Sequence, residues 1–373
     1  MNAEVSIDFS QTFGLLYNFC NICGVPTVVI YKGRVQVSKL CVSYCIFIMF
    51  IFYFSFYFYC KRFARDILVS SDVTGAISVI SLVLGVSYIA ICTLINIFLF
   101  KRRANLILDM AAFLSESEYF CGKFSECSFK NIVKIGIYIA YTKLVLQTSI
   151  HVYYIMTEFG SNSDIWAPAL SYLYGAISSE AQFIEICIHL YVTKAQLSNL
   201  NTRLSGIVEN KYNSSPPNGA TSKILYQFKE THRKVSKVVD DFNEVFGVII
   251  LGQIMMTFID VTTGYFRIEE MNPTYIDYYG IVNSVTKCIY LCSLSDGLAN
   301  QAKAAGRAIY KMDVYAIKIL SEIELVSLQV ISHQNRITAA ELFNIDKRLL
   351  FAMVQAITAY YIILVQLYPN QNK

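Results

Sequence analysis

Seven stretches of about twenty or more mostly apolar residues constrain the fold of this 373-residue chain more than any other feature. A helix of twenty residues is about 30 Å long, which matches the hydrocarbon core of a bilayer. With 55% hydrophobic and 16% charged residues, the chain is more apolar than a soluble protein of this length. We therefore predict an all-α, seven-transmembrane helical membrane protein. Its spans are expected at residues 39–59, 73–100, 132–155, 166–191, 246–266, 278–298 and 349–368.

The distribution of Lys and Arg predicts how the chain is oriented. Cations that flank transmembrane helices stay on the cytosolic side of the membrane. If the N-terminus is cytosolic, most of the 31 Lys and Arg residues fall inside, including the short flank at residues 101–103. The outer side then holds few cations, such as Lys61 and Arg267. This orientation, with an extracellular C-terminus, is opposite to that of a G-protein-coupled receptor.

Apolar residues continue at helical spacing beyond several spans. The fourth span is predicted to continue through residues 195–207, the fifth to begin as an amphipathic cytosolic helix at residue 224, and a third such helix to cover 299–328. Between the first two, residues 210–222 contain Pro216, Pro217 and Gly219 and are expected to form a mobile connector. The predicted units are a cytosolic N-terminal segment 1–38, helices one to four in 39–191, cytosolic extensions 192–245, helices five and six in 246–298, a cytosolic helix and lead-in 299–346, a pore-lining helix 347–368 and an extracellular tail 369–373.

Spans three to six each carry polar side chains at intervals of three and four residues, so that each span presents a polar face. Four such faces predict a shared polar interior. A charge at mid-bilayer costs several kcal/mol unless it is paired or hydrated. We therefore expect Lys143 and Lys287 to pair with Glu180 or Glu185.

The outer halves of these spans supply aromatic and polar groups suited to a small-molecule pocket. The mixture suits a sugar or a plant alkaloid or glycoside, and Asp260 favours a ligand with a cationic or hydroxyl donor. The same residues would serve only as interhelical hydrogen-bonding groups if the interior were closed, and the sequence leaves both interpretations open. The candidate ligand-binding residues are His151, Tyr154, Tyr174, Ser178, Thr257, Asp260, Tyr279 and Asn283.

The last span carries small and polar residues along one face. Gln355, Ala359, Ile362 and Gln366 step by three and four residues, a spacing that places them in one row. If four copies meet around an axis, Ile362 and Gln366 form an apolar and an amide ring that can gate ions. No acidic ring lies on this face, so non-selective cation passage is expected. The alternative is a helix that packs within a single subunit.

The same helix carries a short motif: Tyr360, five apolar residues, then Gln366. This motif resembles the C-terminal signature of the insect gustatory receptor family, Thr-Tyr, five apolar residues, Gln-Phe. Ala359 and Leu367 replace the threonine and the phenylalanine. Upstream, Leu342, Phe343, Ile345, Asp346 and Leu349 also resemble the family's run into its last helix.

The resemblance implies a seven-transmembrane chemoreceptor in the plasma membrane of sensory neurons. It implies a ligand-gated cation channel opened by small-molecule tastants, with a bitter compound or plant metabolite slightly favoured over a sugar. It also implies a homotetramer, or a heteromer with related receptors, held together by the cytosolic helices. Gln366 and the following Leu367 would take the positions of the family's closed gate.

The main alternative is a seven-transmembrane G-protein-coupled receptor. The chain lacks an Asp-Arg-Tyr or Glu-Arg-Tyr after the third span, and no proline lies deep in the last three spans. A secondary transporter would show inverted repeats and broken helices, which are not evident. The four histidines form no metal-binding or triad pattern, so we predict no enzyme activity, no cofactor and no nucleic-acid partner. The eleven cysteines are expected to be reduced packing residues.

Overall fold

The chain is mostly helical in a computed structural model. The structure describes residues 2–4, 7–25, 28–31, 34–36, 73–121, 163–210, 218–270, 275–313 and 335–367, parts of 40–57 and 135–156, and residues 324, 327 and 328. The helices with complete bounds are α1 (Ile7–Ile22), α2 (Val73–Phe98), α3 (Phe100–Cys121), α4 (Ser163–Asn210), α5 (Asn218–Glu270), α6 (Tyr275–Asp313) and α7 (Lys347–Leu367). Helical residues also occur within the predicted first and third spans, for example at 42–47 and 141–146.

The helices α4, α5 and α6 are much longer than a bilayer is thick. They contain 48, 53 and 39 residues, which corresponds to lengths of roughly 60 to 80 Å. The predicted helical continuations of the fourth and fifth spans are therefore present, whereas the helix predicted over residues 299–328 is described as part of α6 only as far as Asp313. Their location in the cytosol remains a prediction. The inner parts pack together through buried residues such as Phe228, Val235 and Phe242 of α5. Asn201 Nδ2 of α4 donates to the backbone carbonyl of Gln301 of α6 at 2.7 Å.

The connector between α4 and α5 is shorter than the sequence suggested. The helix α4 ends at Asn210 and α5 begins at Asn218, so residues 218–222 of the predicted mobile connector are helical. The rest of the connector, residues 211–217, lies outside the described residues.

Two small antiparallel sheets correct the prediction that the chain is all-α. Near the N-terminus, β1 (Asn2–Glu4), β2 (Val29–Tyr31) and β3 (Arg34–Gln36) pair in the order β1-β3-β2. Before α7, β4 (Thr338–Ala339) and β5 (Phe343–Asn344) form a hairpin. Strands of two or three residues are too short to show an apolar periodicity, and they form only by pairing with a neighbouring strand. The sequence pattern therefore did not indicate them.

The β4–β5 hairpin is fixed to α5. Asn243 Nδ2 donates to the backbone carbonyl of Arg336 at 2.9 Å, and its Oδ1 accepts the backbone N–H of Thr338 at 3.0 Å. Gly247, one turn further along α5, lies directly beneath the hairpin: a Cβ at this position would be 3.0 Å from the backbone nitrogen of Ala340. The absence of a side chain at Gly247 thus permits close approach of the segment that leads into α7.

The N-terminal helix α1 packs along α4. Tyr17 Oη lies 3.4 Å from His189 Nε2, and the Cys20 thiol lies 3.8 Å from the backbone carbonyl of Ala181. Gly24, with φ of 76°, lies against Tyr174. The contacts run from His189 to Tyr174, fifteen residues or about 22 Å of helix. The segment that the sequence assigned to the cytosol thus lies along much of the predicted fourth span.

Within the part of the chain that the structure describes, two helices are long and apolar enough to cross a membrane, Phe228–Phe266 and Lys347–Gln366. A third span results if Val83–Phe98 and Phe100–Leu114, which meet at 68°, are counted as one. The helices α4 and α6 carry polar side chains, which lower their mean hydropathy. The first and third predicted spans are only partly described.

Candidate ligand site and terminal helix

Charged and polar side chains meet where the predicted third, fourth and sixth spans pack together. The carboxylate of Glu180 on α4 is 1% exposed. Its Oε2 lies 3.3 Å from Lys143 Nζ, and its Oε1 forms an ion pair with Lys287 Nζ. Asn283 Nδ2 donates a hydrogen bond of 3.3 Å to the same Oε1. We call Lys143, Glu180, Asn283 and Lys287 the Glu180 cluster.

The Glu180 cluster contains two cations and one anion. Both ammonium groups lie 5.7 Å from the ring centroid of Phe183, a distance at which the face of an aromatic ring stabilises a cation. The side chain of Lys287 is 8% exposed, whereas that of Lys143 is 36% exposed. An ammonium has three N–H donors. The partly exposed Lys143 can therefore bind Glu180 and still donate to an oxygen of another molecule.

A second polar contact joins α5 to α6. Ser284 Oγ lies 3.0 Å from Asp260 Oδ2 and donates to it. Thr257, one turn earlier on α5, is buried and donates its hydroxyl to the backbone carbonyl of Gln253 at 2.9 Å. Gln253 Oε1 in turn accepts a hydrogen bond of 3.1 Å from Tyr88 Oη of α2. Asp260 and Thr257 are therefore engaged with other groups of the protein.

The other predicted pocket residues occupy different places. Tyr279 and Ser178 are partly buried, one turn before Asn283 and two residues before Glu180, respectively. Tyr174 packs beside Gly24 at the end of α1. His151 and Tyr154 lie outside the described residues.

A buried ion pair between α3 and α4 was not predicted from the sequence. Arg103 Nε donates to Glu185 Oε1 at 2.9 Å, and Arg103 Nη1 donates to Asn96 Oδ1 at 2.7 Å. The two charged side chains are 1% and 0% exposed. The guanidinium carbon is 5.3 Å from the ring centroid of Phe246 on α5.

Arg103, which the sequence placed in a flank after the second span, is thus buried against α4. Of the two carboxylates expected to serve Lys143 and Lys287, Glu180 does so and Glu185 binds Arg103 instead. The change of direction between α2 and α3 turns Arg103 towards α4, which a linear pattern of charges does not reveal. A signal was nevertheless present, because a carboxylate inside a span requires a partner, and Arg103 follows the polar Asn96 by seven residues.

The helix α7 is the least enclosed helix that the structure describes. Gln355, Ala359, Ile362 and Gln366 are all exposed, whereas the side chain of Leu367 is outside the described part. Among the described side chains of α7, Met353 alone is buried.

Sulfur and aromatic contacts along one side attach α7 to its neighbours. The Met353 Sδ lies 3.4 Å from the Cys288 Sγ of α6. Tyr360 meets Phe258 of α5 edge-on, with ring centroids 5.3 Å apart, and Tyr361 meets Tyr265 in the same way at 4.8 Å. None of the described residues of the same chain covers the row from Gln355 to Gln366.

The N-terminus of α7 is fixed by a side-chain cap. Asp346 Oδ1 accepts the backbone N–H groups of Arg348 at 2.9 Å and Leu349 at 3.3 Å. Such a cap satisfies donors that the first turn of a helix leaves unpaired. The side chain of Lys347 reaches Asp296 of α6, with Nζ and Oδ2 3.6 Å apart. The start of α7 is thus fixed by the Asp346 cap and by the contact of Lys347 with α6.

Comparisons with known proteins agree with this architecture. The model of the family described as 7tm chemosensory receptor matches residues 8–371. The structure of the insect olfactory receptor OR5 from Machilis hrabei superimposes with a TM-score of 0.73 at 14% identity, over 96% of this chain and 98% of that one. The same receptor in complex with eugenol gives a TM-score of 0.69 at 12% identity, over 97% and 99%. No curated protein matches the chain.

Proposed function

Because this chain belongs to the 7tm chemosensory receptor family, we propose that it is a gustatory receptor that works as a ligand-gated, non-selective cation channel. The family consists of multi-pass membrane receptors and not of enzymes. The observation that carries the proposal is the terminal helix α7. It is capped at its N-terminus and attached along one side, and the part of the chain that the structure describes leaves the row from Gln355 to Gln366 uncovered.

In this proposal, four copies of α7 meet around a central axis in a homotetramer. The uncovered row then faces the axis or the neighbouring copies. Ile362 forms an apolar ring, and Gln366, with Leu367, forms the closed gate near the outer mouth. The side chains of the row are uncharged, which supports the passage of several cations without strong selection. The receptor would operate in the plasma membrane of sensory neurons, alone or with related subunits.

The ligand site is proposed at the Glu180 cluster and the adjoining faces of α5 and α6. The excess of ammonium groups favours oxygen atoms of a ligand, such as hydroxyl, ether or phenol groups. Asp260 adds an acceptor for a hydroxyl donor, although it already accepts from Ser284. Plant metabolites with several oxygens, including phenols, combine these groups with an apolar body. Eugenol is present in a solved structure of the related olfactory receptor and is the first compound to test.

The two sites are connected through α5 and α6. The helix α6 carries Asn283 and Lys287 of the Glu180 cluster and, at Cys288, the contact to Met353 of α7. The helix α5 carries Asp260 and, two residues earlier, Phe258, which contacts Tyr360 of α7. A ligand that favours one arrangement of α5 and α6 therefore changes the position of α7, and with it the closed and open populations.

Calcium entry into cells that express this chain alone tests the proposal. A panel of plant phenols, glycosides, alkaloids and sugars is applied while G-protein signalling is blocked. We expect at least one class to open a cation current in excised membrane patches, where soluble messengers are absent. A response that disappears under the G-protein block would support a G-protein-coupled receptor instead.

A further inference from the structure

Three sulfur atoms meet where α6 packs against α7. Cys288 and Cys292 are one helical turn apart on α6, so their side chains share a face, and both are buried. Met353 of α7 lies opposite, with its Sδ 3.4 Å from the Cys288 Sγ. The Cys292 thiol lies within hydrogen-bonding reach of Cys288. We call Cys288, Cys292 and Met353 the sulfur cluster.

We propose that the sulfur cluster binds one soft monovalent metal ion, Cu(I) or its analogue Ag(I), between α6 and α7. Thiolate and thioether sulfur are the ligands that Cu(I) prefers in proteins. Two sulfur ligands of a trigonal ion, at bond lengths of roughly 2.3 Å, lie about 4 Å apart. The observed separation of Cys288 and Met353 therefore has to widen by only roughly 0.6 Å. Each thiol that becomes a ligand releases its proton to solvent.

The donor set favours a soft ion over Zn²⁺. A structural zinc site uses four ligands from thiolates, imidazoles and carboxylates. Within the part of the chain that the structure describes, no group of three or more His, Cys, Asp and Glu side chains is placed to hold a metal. The third donor of the sulfur cluster is a thioether, which contributes no charge and selects for soft ions.

Negative charge near the inner end of the sulfur cluster would attract a cation. Asp296 lies one turn after Cys292 on α6 and its side chain is 27% exposed. Asp346, which caps α7, is also an electrostatic neighbour of Cys292. These carboxylates mark a route from the predicted cytosolic side, a compartment in which thiols stay reduced.

A bound ion would link α7 to α6 at Met353, the only buried residue among the described side chains of α7. Such a bridge restrains the helix that carries Gln366, so the ion is expected to reduce the response to tastants. This consequence depends on the proposed channel function. The binding itself does not, and it is tested separately on purified receptor.

The test is an anaerobic titration of Cu(I) against a chromogenic chelator. We expect the unmodified receptor to bind one more Cu(I) per chain than the Cys288→Ala/Cys292→Ala variant. Met353→Leu keeps the volume of the side chain and removes the thioether, and it should weaken binding at the site by about tenfold or more. Matched controls away from the cluster, Met256→Leu on α5 and Cys92→Ala on α2, should bind as the unmodified receptor does.

Thermal unfolding gives a second measurement on the same samples. Since an ion that binds the folded state raises its melting temperature, Ag(I) should stabilise the unmodified receptor and Met256→Leu, but stabilise Met353→Leu less. Size-exclusion profiles show whether each variant is folded before titration. Equal affinity in Met353→Leu and the unmodified receptor, or equal stoichiometry in the double cysteine variant, would overturn the proposal.

Discussion

The buried carboxylate of Glu180 pairs with two cations, Lys143 and Lys287. Replacing it by Gln leaves Lys287 buried without a counter-ion, and loss of one partner of a buried ion pair costs about 3 to 5 kcal/mol. We therefore expect Glu180→Gln to lower the melting temperature and the cell-surface amount of the receptor strongly. Differential scanning fluorimetry and surface labelling measure the two effects.

Two further variants separate the charge effect from a general loss of packing. Lys143→Gln removes the more exposed partner and should cost less than about 1 kcal/mol. Adding Lys287→Met to Glu180→Gln removes the uncompensated charge and should restore part of the stability. A Glu180→Gln receptor as stable as the unmodified one would mean that Glu180 does not balance the lysines.

Gln366 is the residue on which the proposed gate depends. Replacing its amide by a methyl group removes the hydrogen-bonding ring at the outer mouth, so Gln366→Ala should raise the current in the absence of ligand or change the unitary conductance. Single-channel recording measures both. Thr93→Ala on α2 is the control, because Thr93 lies outside α7 and its hydroxyl already donates to the backbone carbonyl of Ile89 at 2.7 Å. Identical currents in Gln366→Ala and the unmodified receptor would remove Gln366 from the gate.

At the scale of elements, the contact between α5 and the β4–β5 hairpin positions the start of α7. Gly247→Ala would gain helix propensity of up to about 1 kcal/mol, but the new methyl group would press on the backbone of Ala340. Overpacking typically costs 1 to 3 kcal/mol, so we expect a net loss of stability and a shifted response to ligand. Melting temperature and the concentration for half-maximal response measure these effects.

Gly280→Ala on α6 is the matched control for this substitution. A Cβ at Gly280 meets no atom of the described residues within 4 Å, so the same change in propensity is expected there without a clash. We expect Gly280→Ala to be neutral or slightly stabilising. If both variants behave alike, the close approach of the hairpin to α5 does not matter for stability or gating.

The helices themselves were predictable to different extents. The apolar periodicity along α5 indicated a helix that begins before the fifth span, and α5 does so. The pairing of Arg103 with Glu185 depends on the direction that α3 takes after α2, which is a tertiary property. The hairpin before α7 could not be predicted from the sequence either. Its turn residues Ala340 and Glu341 adopt positive φ angles, which are uncommon for residues other than glycine.

At the scale of the whole molecule, the orientation in the membrane distinguishes the channel from a G-protein-coupled receptor. We expect an epitope tag at the N-terminus to be labelled only after cells are permeabilised. A tag at the C-terminus should be labelled in intact cells, because the charge distribution places it outside. Accessibility of the N-terminal tag in intact cells would contradict the proposed orientation.

The assembly is testable through α7. If copies of α7 meet around an axis, Ala359→Cys should form disulfide-linked dimers under mild oxidation, visible as a doubled mass on non-reducing gels. Val282→Cys on α6, an exposed position outside the proposed interface, should not. Dimers in the Val282→Cys control but not in Ala359→Cys would place α7 away from other copies.

The sequence by itself determined that the chain is a helical membrane protein with a distinctive last helix, because span length, hydropathy and the spacing of polar residues are local properties. It also indicated that Lys143 and Lys287 require a carboxylate. Only the tertiary structure decided that Glu180 serves both lysines while Glu185 binds Arg103, since partner choice depends on which faces of distant helices meet. The packing of α1 along α4 and the three sulfur atoms between α6 and α7 were decided in the same way.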